Sequence, residues 1–237
     1  YFNKSQLLDQ RDIKRNDRFI QYGLIAAKMA IEDAGINNLN DNEKLKVGVS
    51  VGSGIGGLET IYEGSLTINN KDSKKLSPFF IPSSLVNLLS GQISIKYGFK
   101  GPAENTCTAC AAGTHAIINA ARLIASDRCD VVIAGGTESA FTGSSIAGFT
   151  NMTAFSSEGI SRPFDVDRDG FVVVESIVGI PDKPIFIGCV VEVELRHFHG
   201  GGAKEPTIDF TQVVGHIEVI VGFKSVPVLE IEVAIAV

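Results

Sequence analysis

The sequence of 237 residues contains no tryptophan, two methionines and four cysteines. The cysteines, at positions 107, 110, 129 and 189, are too few and too scattered for a disulfide scaffold in a chain of this length. No secretory signal is recognisable either. These absences predict a protein of a reducing compartment, and we expect it in the cytoplasm.

Positive charge and long apolar runs are also scarce. The chain has 21 lysines and arginines against 27 aspartates and glutamates, a formal net charge of −6. This acidic balance argues against nucleic acid as a general partner. No apolar run reaches the roughly 18–20 residues that a membrane-spanning helix needs, so we expect no membrane association.

Up to about residue 150, helical and strand-like hydrophobic patterns alternate, which is typical of a layered α/β domain. Asn16 and Asp17 are suited to cap the first helix, and Gly35 to end it. Two apolar runs, residues 46–51 and 130–134, indicate strands covered on both faces. The pattern predicts helices over residues 16–34, from Pro82 through Ile93, and over residues 111–126.

The character of the sequence changes from about Val172. Valine and isoleucine fill 24 of the 66 positions from 172 to 237, and the stretch EIEVAIAV near the end alternates as a half-exposed strand does. We therefore predict an α/β domain over residues 1–175 and a β-rich segment over residues 176–237.

The segment GPAENTCTACAAGTHAI carries the chemistry, because it places Cys110 where a strand ends and an alanine-rich helix begins. Unpaired N–H groups and the positive end of the helix dipole favour the thiolate there, and the thiolate is the nucleophile. The small neighbours leave room for a bulky thioester, and backbone N–H groups can hold an oxyanion. From these residues alone, a reactive and a buried structural cysteine are equally good interpretations.

The blocks around this cysteine make the first interpretation the better one. TACAAG at 108–113 resembles the nucleophile loop of β-ketoacyl-(acyl carrier protein) synthases of the elongating type, which have the thiolase-like fold. Five further blocks resemble the family in its order: DRFIQYG at 17–23, GSGIGGL at 52–58, SPFFIPSSLVNLLSG at 77–91, AGGTES at 134–139 and SRPFDVDRDGF at 161–171. The resemblance covers about residues 1–175 and implies a mixed sheet with helices on both faces.

The resemblance implies an acyltransferase of fatty acid synthesis. In this family the cysteine, here Cys110, takes an acyl group from acyl carrier protein. Malonyl-acyl carrier protein then loses carbon dioxide, and its carbanion attacks the thioester to give a 3-oxoacyl product. The implied partner is acyl carrier protein with phosphopantetheine-linked acyl and malonyl groups, and no metal or organic cofactor is implied.

The resemblance also assigns roles to other residues. Ile55 matches the acyl-pocket residue that limits chain length, and Phe79 and Phe80 match aromatic residues of the same pocket. Arg11, Lys14 and Arg15 match basic residues that meet the acidic carrier protein. The family pairs its subunits through the strand before the cysteine, here near Ala103–Cys107, so a homodimer is implied.

The sequence departs from the family after residue 171. The two histidines, the lysine and the glycine-rich loop of the family's second half have no matching motifs here, so the α/β fold is expected to be incomplete and full activity of this chain alone is in question. His216 is a possible second catalytic group because it shares a Gly-His pair with the family. His197 and His199 share one face of a predicted strand, but a metal site would need a third ligand.

Three alternatives remain open from the sequence. GSGIGG satisfies the fingerprint of an NAD(P)-dependent oxidoreductase, although no strand with an acidic end follows at the expected distance. Cys107 and Cys110 form a C-x-x-C pair that a redox or metal site could use. Finally, the chain could be a catalytically incomplete ketosynthase partner or a fragment.

Overall fold

The structure is a computed structural model that describes residues 7–70, 73–162 and 164–172, and the backbone of residues 188–191. Its helices are α1 (Gln10–Arg15), α2 (Arg18–Asp33), α3 (Leu58–Asn69), α4 (Phe80–Ser84), α5 (Leu88–Tyr97), α6 (Ala112–Ala125) and α7 (Gly143–Asn151). Its strands are β1 (Val47–Gly52), β2 (Ala103–Thr106), β3 (Val131–Gly136) and β4 (Gly188–Val191). Short 3-10 turns span Glu43–Lys46 and Ser73–Lys75.

The four strands form one mixed sheet in the order β2-β1-β3-β4. β1 pairs in parallel with β2 and with β3, and β3 pairs with β4 in antiparallel fashion. Gly52, at the end of β1, lies opposite Thr106 on one side and Gly136 on the other. The carboxyl ends of three strands therefore meet at one edge of the sheet, as the predicted α/β class requires.

Helices cover both faces of this sheet, because successive side chains of a strand point to opposite sides. Val131 and Ile133 of β3 belong to a core cluster that contains α2 and α5. Val132 and Ala134, which alternate with them, belong to a second cluster with Ala120 and Leu123 of α6. The predicted layered fold with helices on both faces is confirmed.

The helix predicted over residues 16–34 is α2, and it begins and ends nearly where the sequence predicts. The Asp17 side chain accepts a hydrogen bond from the Phe19 N–H (3.2 Å), and Gly35 follows the helix with φ +66°. Phe19, Ile20, Leu24, Ile25 and Ile31 of α2 are almost fully buried. At about 25 cal/mol per Å2, each such side chain contributes roughly 1.5–3 kcal/mol by leaving water, before the entropy of ordering is subtracted.

The single helix predicted from Pro82 through Ile93 is wrong, because two helices occupy this stretch. α4 ends at Ser84, and Leu85 is extended (φ −78°, ψ 126°) before α5 begins at Leu88. The Ser84 hydroxyl donates to the backbone oxygens of Phe80 and Ile81. Serine bonds of this kind compete with the helix ladder, and they bend or end helices.

Most of the predicted β-rich segment lies outside the described residues. The part that the structure describes there is β4, which extends the sheet beyond β3. His197, His199 and His216 also lie outside the described residues, so their predicted roles are untested. Among the described helices, none has the length and apolarity that a membrane crossing requires.

Candidate active site

Cys110 lies on a tight turn between the end of β2 and the start of α6. Ala109, directly before it, has φ +50°, a left-handed conformation that costs a residue other than glycine roughly 1–2 kcal/mol. Two backbone hydrogen bonds hold the turn, from the N–H of Ala111 to the oxygen of Thr108 and from Ala112 to Ala109, both 3.1 Å. The turn therefore fixes the cysteine two residues before the helix begins.

The thiol of Cys110 is exposed and free. Ala111, at the N-cap of α6, has no side-chain acceptor, so it cannot cap the N–H groups of the first helical turn. The N–H of Ala112 is already bonded to Ala109, but the positive end of the α6 dipole lies at this turn and favours negative charge there. An accessible thiol can be alkylated, and its thiolate can attack a thioester.

Two glycines, Gly52 and Gly136, allow α6 to lie this close to the sheet. A Cβ on Gly52 would lie 2.4 Å from the backbone oxygen of Ala112, and a Cβ on Gly136 would lie 2.8 Å from the Cα of Gly113. Side chains at these positions would push the first turn of the helix away from the ends of β1 and β3. The position of Cys110 thus depends on bare backbone at the sheet edge.

The glycine-rich loop after β1 contacts the cysteine turn. A Cβ on Gly54 would lie 3.0 Å from the backbone oxygen of Ala109, and the Cys107 thiol donates to the oxygen of Gly54 (3.4 Å). Ile55, the next residue, is 42% exposed. The structure therefore brings the loop that carries the predicted pocket residue Ile55 against the turn that carries Cys110.

Glu138 is a residue of this region that the sequence analysis did not single out. Its Oε2 accepts hydrogen bonds from the Ile55 N–H (2.8 Å) and the Ser53 hydroxyl (3.4 Å), and its Oε1 accepts from the Ser139 N–H (3.0 Å). The one signal in the sequence is a charged residue shortly after a buried strand, within AGGTES. Its partners 83 and 85 residues away become visible only in three dimensions.

Phe79 and Phe80 lie at the start of α4 and are half-buried. The Phe80 ring packs on α3, since a Cβ on Gly64 would lie 2.4 Å from its Cε2. The Arg15 guanidinium lies over the Phe79 ring, 4.8 Å from its centroid, at a distance typical of cation–π contacts. α4 also contacts the glycine-rich loop, because a Cβ on Gly57 would lie 2.4 Å from the Cα of Ser84.

The three predicted docking residues share one short helix. Arg11, Lys14 and Arg15 are exposed on α1. Lys14 and Arg15 are in its last turn, where positive charge complements the helix dipole. The structure thus places a basic surface next to α4, although it does not bring these residues to Cys110.

The geometry also bears on the alternative sites. Cys107 and Cys110 are separate free thiols, and no group of three or more histidine, cysteine, aspartate or glutamate side chains among the described residues could hold a metal ion. The glycine-rich loop does join a strand to a helix, as in dinucleotide-binding proteins. Between α3 and β2, however, the described chain forms helices and turns and no strand that could carry the ribose-binding acid.

Comparison with known proteins assigns the family. Residues 4–180 match the model of the β-ketoacyl synthase N-terminal domain. The chain belongs to this family. The assignment favours the ketosynthase interpretation over the nicotinamide alternative.

Curated relatives of this ketosynthase family align over most of the chain. The 3-oxoacyl-(acyl-carrier-protein) synthase 2 of Rhizobium meliloti is 41% identical over 221 residues, which cover 91% of this chain and 49% of the relative. The same synthase of Vibrio cholerae is 39% identical and covers 90% of this chain and 49% of the relative. These alignments include part of the segment after residue 180, where the sequence analysis found no match. The chain spans about half the length of these relatives.

Solved ketosynthase structures share the fold. A β-ketoacyl synthase from Burkholderia phymatum is similar with a TM-score of 0.63 and 25% identity, over 73% of this chain and 43% of that one. The ishigamide ketosynthase/chain length factor gives the same TM-score and identity over 73% of this chain and 42% of that one. The predicted thiolase-like fold is confirmed for the part of the chain that these structures cover.

Proposed function

We propose that this chain carries the acyl-accepting half-reaction of a 3-oxoacyl-(acyl carrier protein) synthase, with Cys110 as the nucleophile. One observation carries the proposal: in a chain of the ketosynthase family, the thiol is exposed on a strained turn where α6 begins. That position gives an incoming thioester access to the sulfur. It also gives backbone N–H groups access to the oxyanion that forms during transfer.

In the proposed transfer, the Cys110 thiolate attacks the carbonyl carbon of an acyl thioester on the carrier's phosphopantetheine arm. The new carbon–sulfur bond forms to Cys110, the old one to phosphopantetheine breaks, and the released thiolate takes up a proton. In the condensation that follows, malonyl-carrier protein loses carbon dioxide, and its carbanion attacks the new thioester. Cys110 then leaves as the thiolate and a 3-oxoacyl chain remains on the carrier.

The acyl pocket and the docking surface complete the proposal. Ile55 would limit chain length from the glycine-rich loop, and Phe79 and Phe80 would line the same region from α4. The exposed cations of α1 suit an acidic carrier protein. One structural neighbour with a TM-score of 0.60 and 24% identity is a type II ketosynthase in complex with its acyl-carrier protein, a partner of the kind that we propose here.

We further propose that two copies pair through β2 and that the protein works in the cytoplasm. β2 is an edge strand within the described sheet, and Ala103 at its start is exposed. Unpaired edges of this kind readily add a strand from another chain. His216 remains a candidate for the group that assists decarboxylation.

Intact-mass analysis tests the nucleophile. Native protein incubated with acyl carrier protein that bears a medium-length acyl group should gain the mass of one acyl group. Cys110→Ala should abolish the adduct, whereas the matched variant Cys107→Ser should keep it. No adduct on native protein, or an adduct that survives in Cys110→Ala, would contradict the proposal.

A further inference from the structure

Glu138 connects two segments of the site, the one that follows β3 and the glycine-rich loop that follows β1. It follows β3, yet both of its carboxylate oxygens are engaged, one by Ser139 of its own segment and one by the glycine-rich loop. Ser53 and Ser139, two of its partners, are buried, each 2% exposed. The carboxylate therefore spans from the end of β3 to the loop after β1.

The loop lies between this carboxylate and the cysteine turn. At Gly54, an added Cβ would lie 3.2 Å from Glu138 Oε2 and 3.0 Å from the Ala109 oxygen, so both approach the same bare backbone. The next residue, Ile55, donates its N–H to Glu138, and Gly56 then turns the chain away with φ +78°. The hydrogen bond from Glu138 thus holds the backbone of Ile55, and the backbone direction at Ile55 decides where its side chain points.

Side-chain packing fixes Ile55 only in part, because 42% of its surface is exposed. A charge-assisted bond from a carboxylate to a backbone N–H is stronger than a neutral one. We propose that Glu138 is a positioning residue that fixes the backbone of Ile55 and thereby sets the length of acyl chain that the Cys110 thiol accepts. The acyl substrate in this inference rests on the proposed function. The clamp, by which we mean the hydrogen bond that Glu138 accepts from the Ile55 N–H, rests on the geometry alone.

The selection of chain length at Cys110 is the measurement that distinguishes a residue that positions Ile55 from one that only stabilises the fold. In a Cys107→Ser background, alkylation of Cys110 by N-ethylmaleimide and by N-octylmaleimide is followed by intact mass. In Glu138→Ala, the ratio of the octyl to the ethyl rate should change by roughly three- to tenfold, as expected for the loss of one hydrogen bond of typical net strength. Unfolded protein is recognised separately, because its otherwise buried Cys129 would also be alkylated and add a further reagent mass.

Two further variants complete the design. In Glu138→Gln, the amide oxygen can still accept from the Ile55 N–H, so most of the native ratio should return. Glu32→Gln removes the same charge from an exposed site on α2, where Glu32 pairs with Lys28 at 3.8 Å, and should leave the ratio unaltered. Amide hydrogen exchange should report faster exchange at Ile55 in Glu138→Ala and native exchange in Glu32→Gln.

The possible results are distinguishable. An unchanged ratio with unchanged exchange at Ile55 in Glu138→Ala overturns the inference. If native protein takes no acyl group from the carrier but the maleimide ratio shifts as expected, the clamp is supported and the proposed function fails. If native protein does take an acyl group from the carrier, the ratio of long-chain to short-chain acylation rates in Glu138→Ala should shift in the same direction as the ratio of octyl to ethyl maleimide rates.

Discussion

The two faces of strand β1 differ in the size of their side chains. Toward α2 and α5 the strand presents Val47, Val49 and Val51, which belong to the larger core cluster. Toward α6, Gly48 abuts Cys129 and Val132, Gly52 abuts Ala112, and between them the Ser50 hydroxyl donates to the oxygen of Ala116 (2.9 Å). The large-residue face (Val47, Val49 and Val51) stabilises the fold by burying apolar side chains. The small-residue face (Gly48, Ser50 and Gly52) lets α6, and the turn that carries Cys110, lie close to the sheet.

Among the proposed substitutions, Gly52→Ala should have the largest effect, because it places a side chain on the small-residue face of β1. The added methyl group would meet the backbone of Ala112, which cannot move without moving the start of α6. We expect a loss of about 1–3 kcal/mol in the free energy of unfolding. Displacement of the thiol by about 1 Å should also lower the rate of Cys110 acylation about a hundredfold.

The matched control is Gly148→Ala on α7, where an added Cβ has nothing within 4 Å. It should leave acylation unaltered and cost no stability in urea unfolding, because alanine is the better helix former. Equal losses of acylation in both variants would contradict the special role of the small-residue face.

Val49→Ala addresses the opposite face. Val49 is 1% exposed, so removing two methyl groups should cost roughly 2–3 kcal/mol in unfolding free energy, the lost transfer energy plus a cavity. Under conditions where the variant is folded, Cys110 acylation should stay within about twofold of native, less than the factor that 1 kcal/mol would produce. Val166→Ala, at a position 89% exposed, serves as the neutral control.

Ser50→Ala removes the polar bond on the small-residue face without changing its size. The buried oxygen of Ala116 would lose a partner, and we expect a decrease of about 1 kcal/mol in unfolding free energy. Ser65→Ala removes a hydroxyl that donates to the Ile61 oxygen on exposed α3, and unfolding should be unchanged. A larger loss in Ser65→Ala than in Ser50→Ala would reverse the expected order.

The last effect is confined to alkaline pH, at the edge of the face of β1 that carries Val47, Val49 and Val51. Burial, assisted by Glu32 and Asp12, raises the pKa of Tyr97 to about 12. Because the unfolded chain ionises near pH 10, this contribution to stability is complete below about pH 10 and is lost as the pH rises toward 12. Tyr97→Phe should remove that part of the alkaline decline in urea midpoint, and an unchanged decline would contradict the assignment.

The sequence predicts those elements whose signals are local. α2, α6, β1 and β3 follow from periodicity, caps and apolar runs, and Cys110 follows from its place between a strand and an alanine-rich helix. The break at Leu85 was missed because it depends on where the Ser84 hydroxyl points. Glu138 was missed because its role depends on bonds to residues 83 and 85 positions away, which no local pattern encodes.

Ala109 has a consequence for how readily the sulfur reacts. Glycine would adopt φ +50° without steric cost, but it would also permit many other conformations, whereas alanine permits few. The left-handed turn therefore costs roughly 1–2 kcal/mol during folding, and it restricts the orientations of Cys110, the proposed nucleophile. Because the turn already restricts the direction of the Cys110 side chain, the sulfur loses less conformational freedom when a thioester binds.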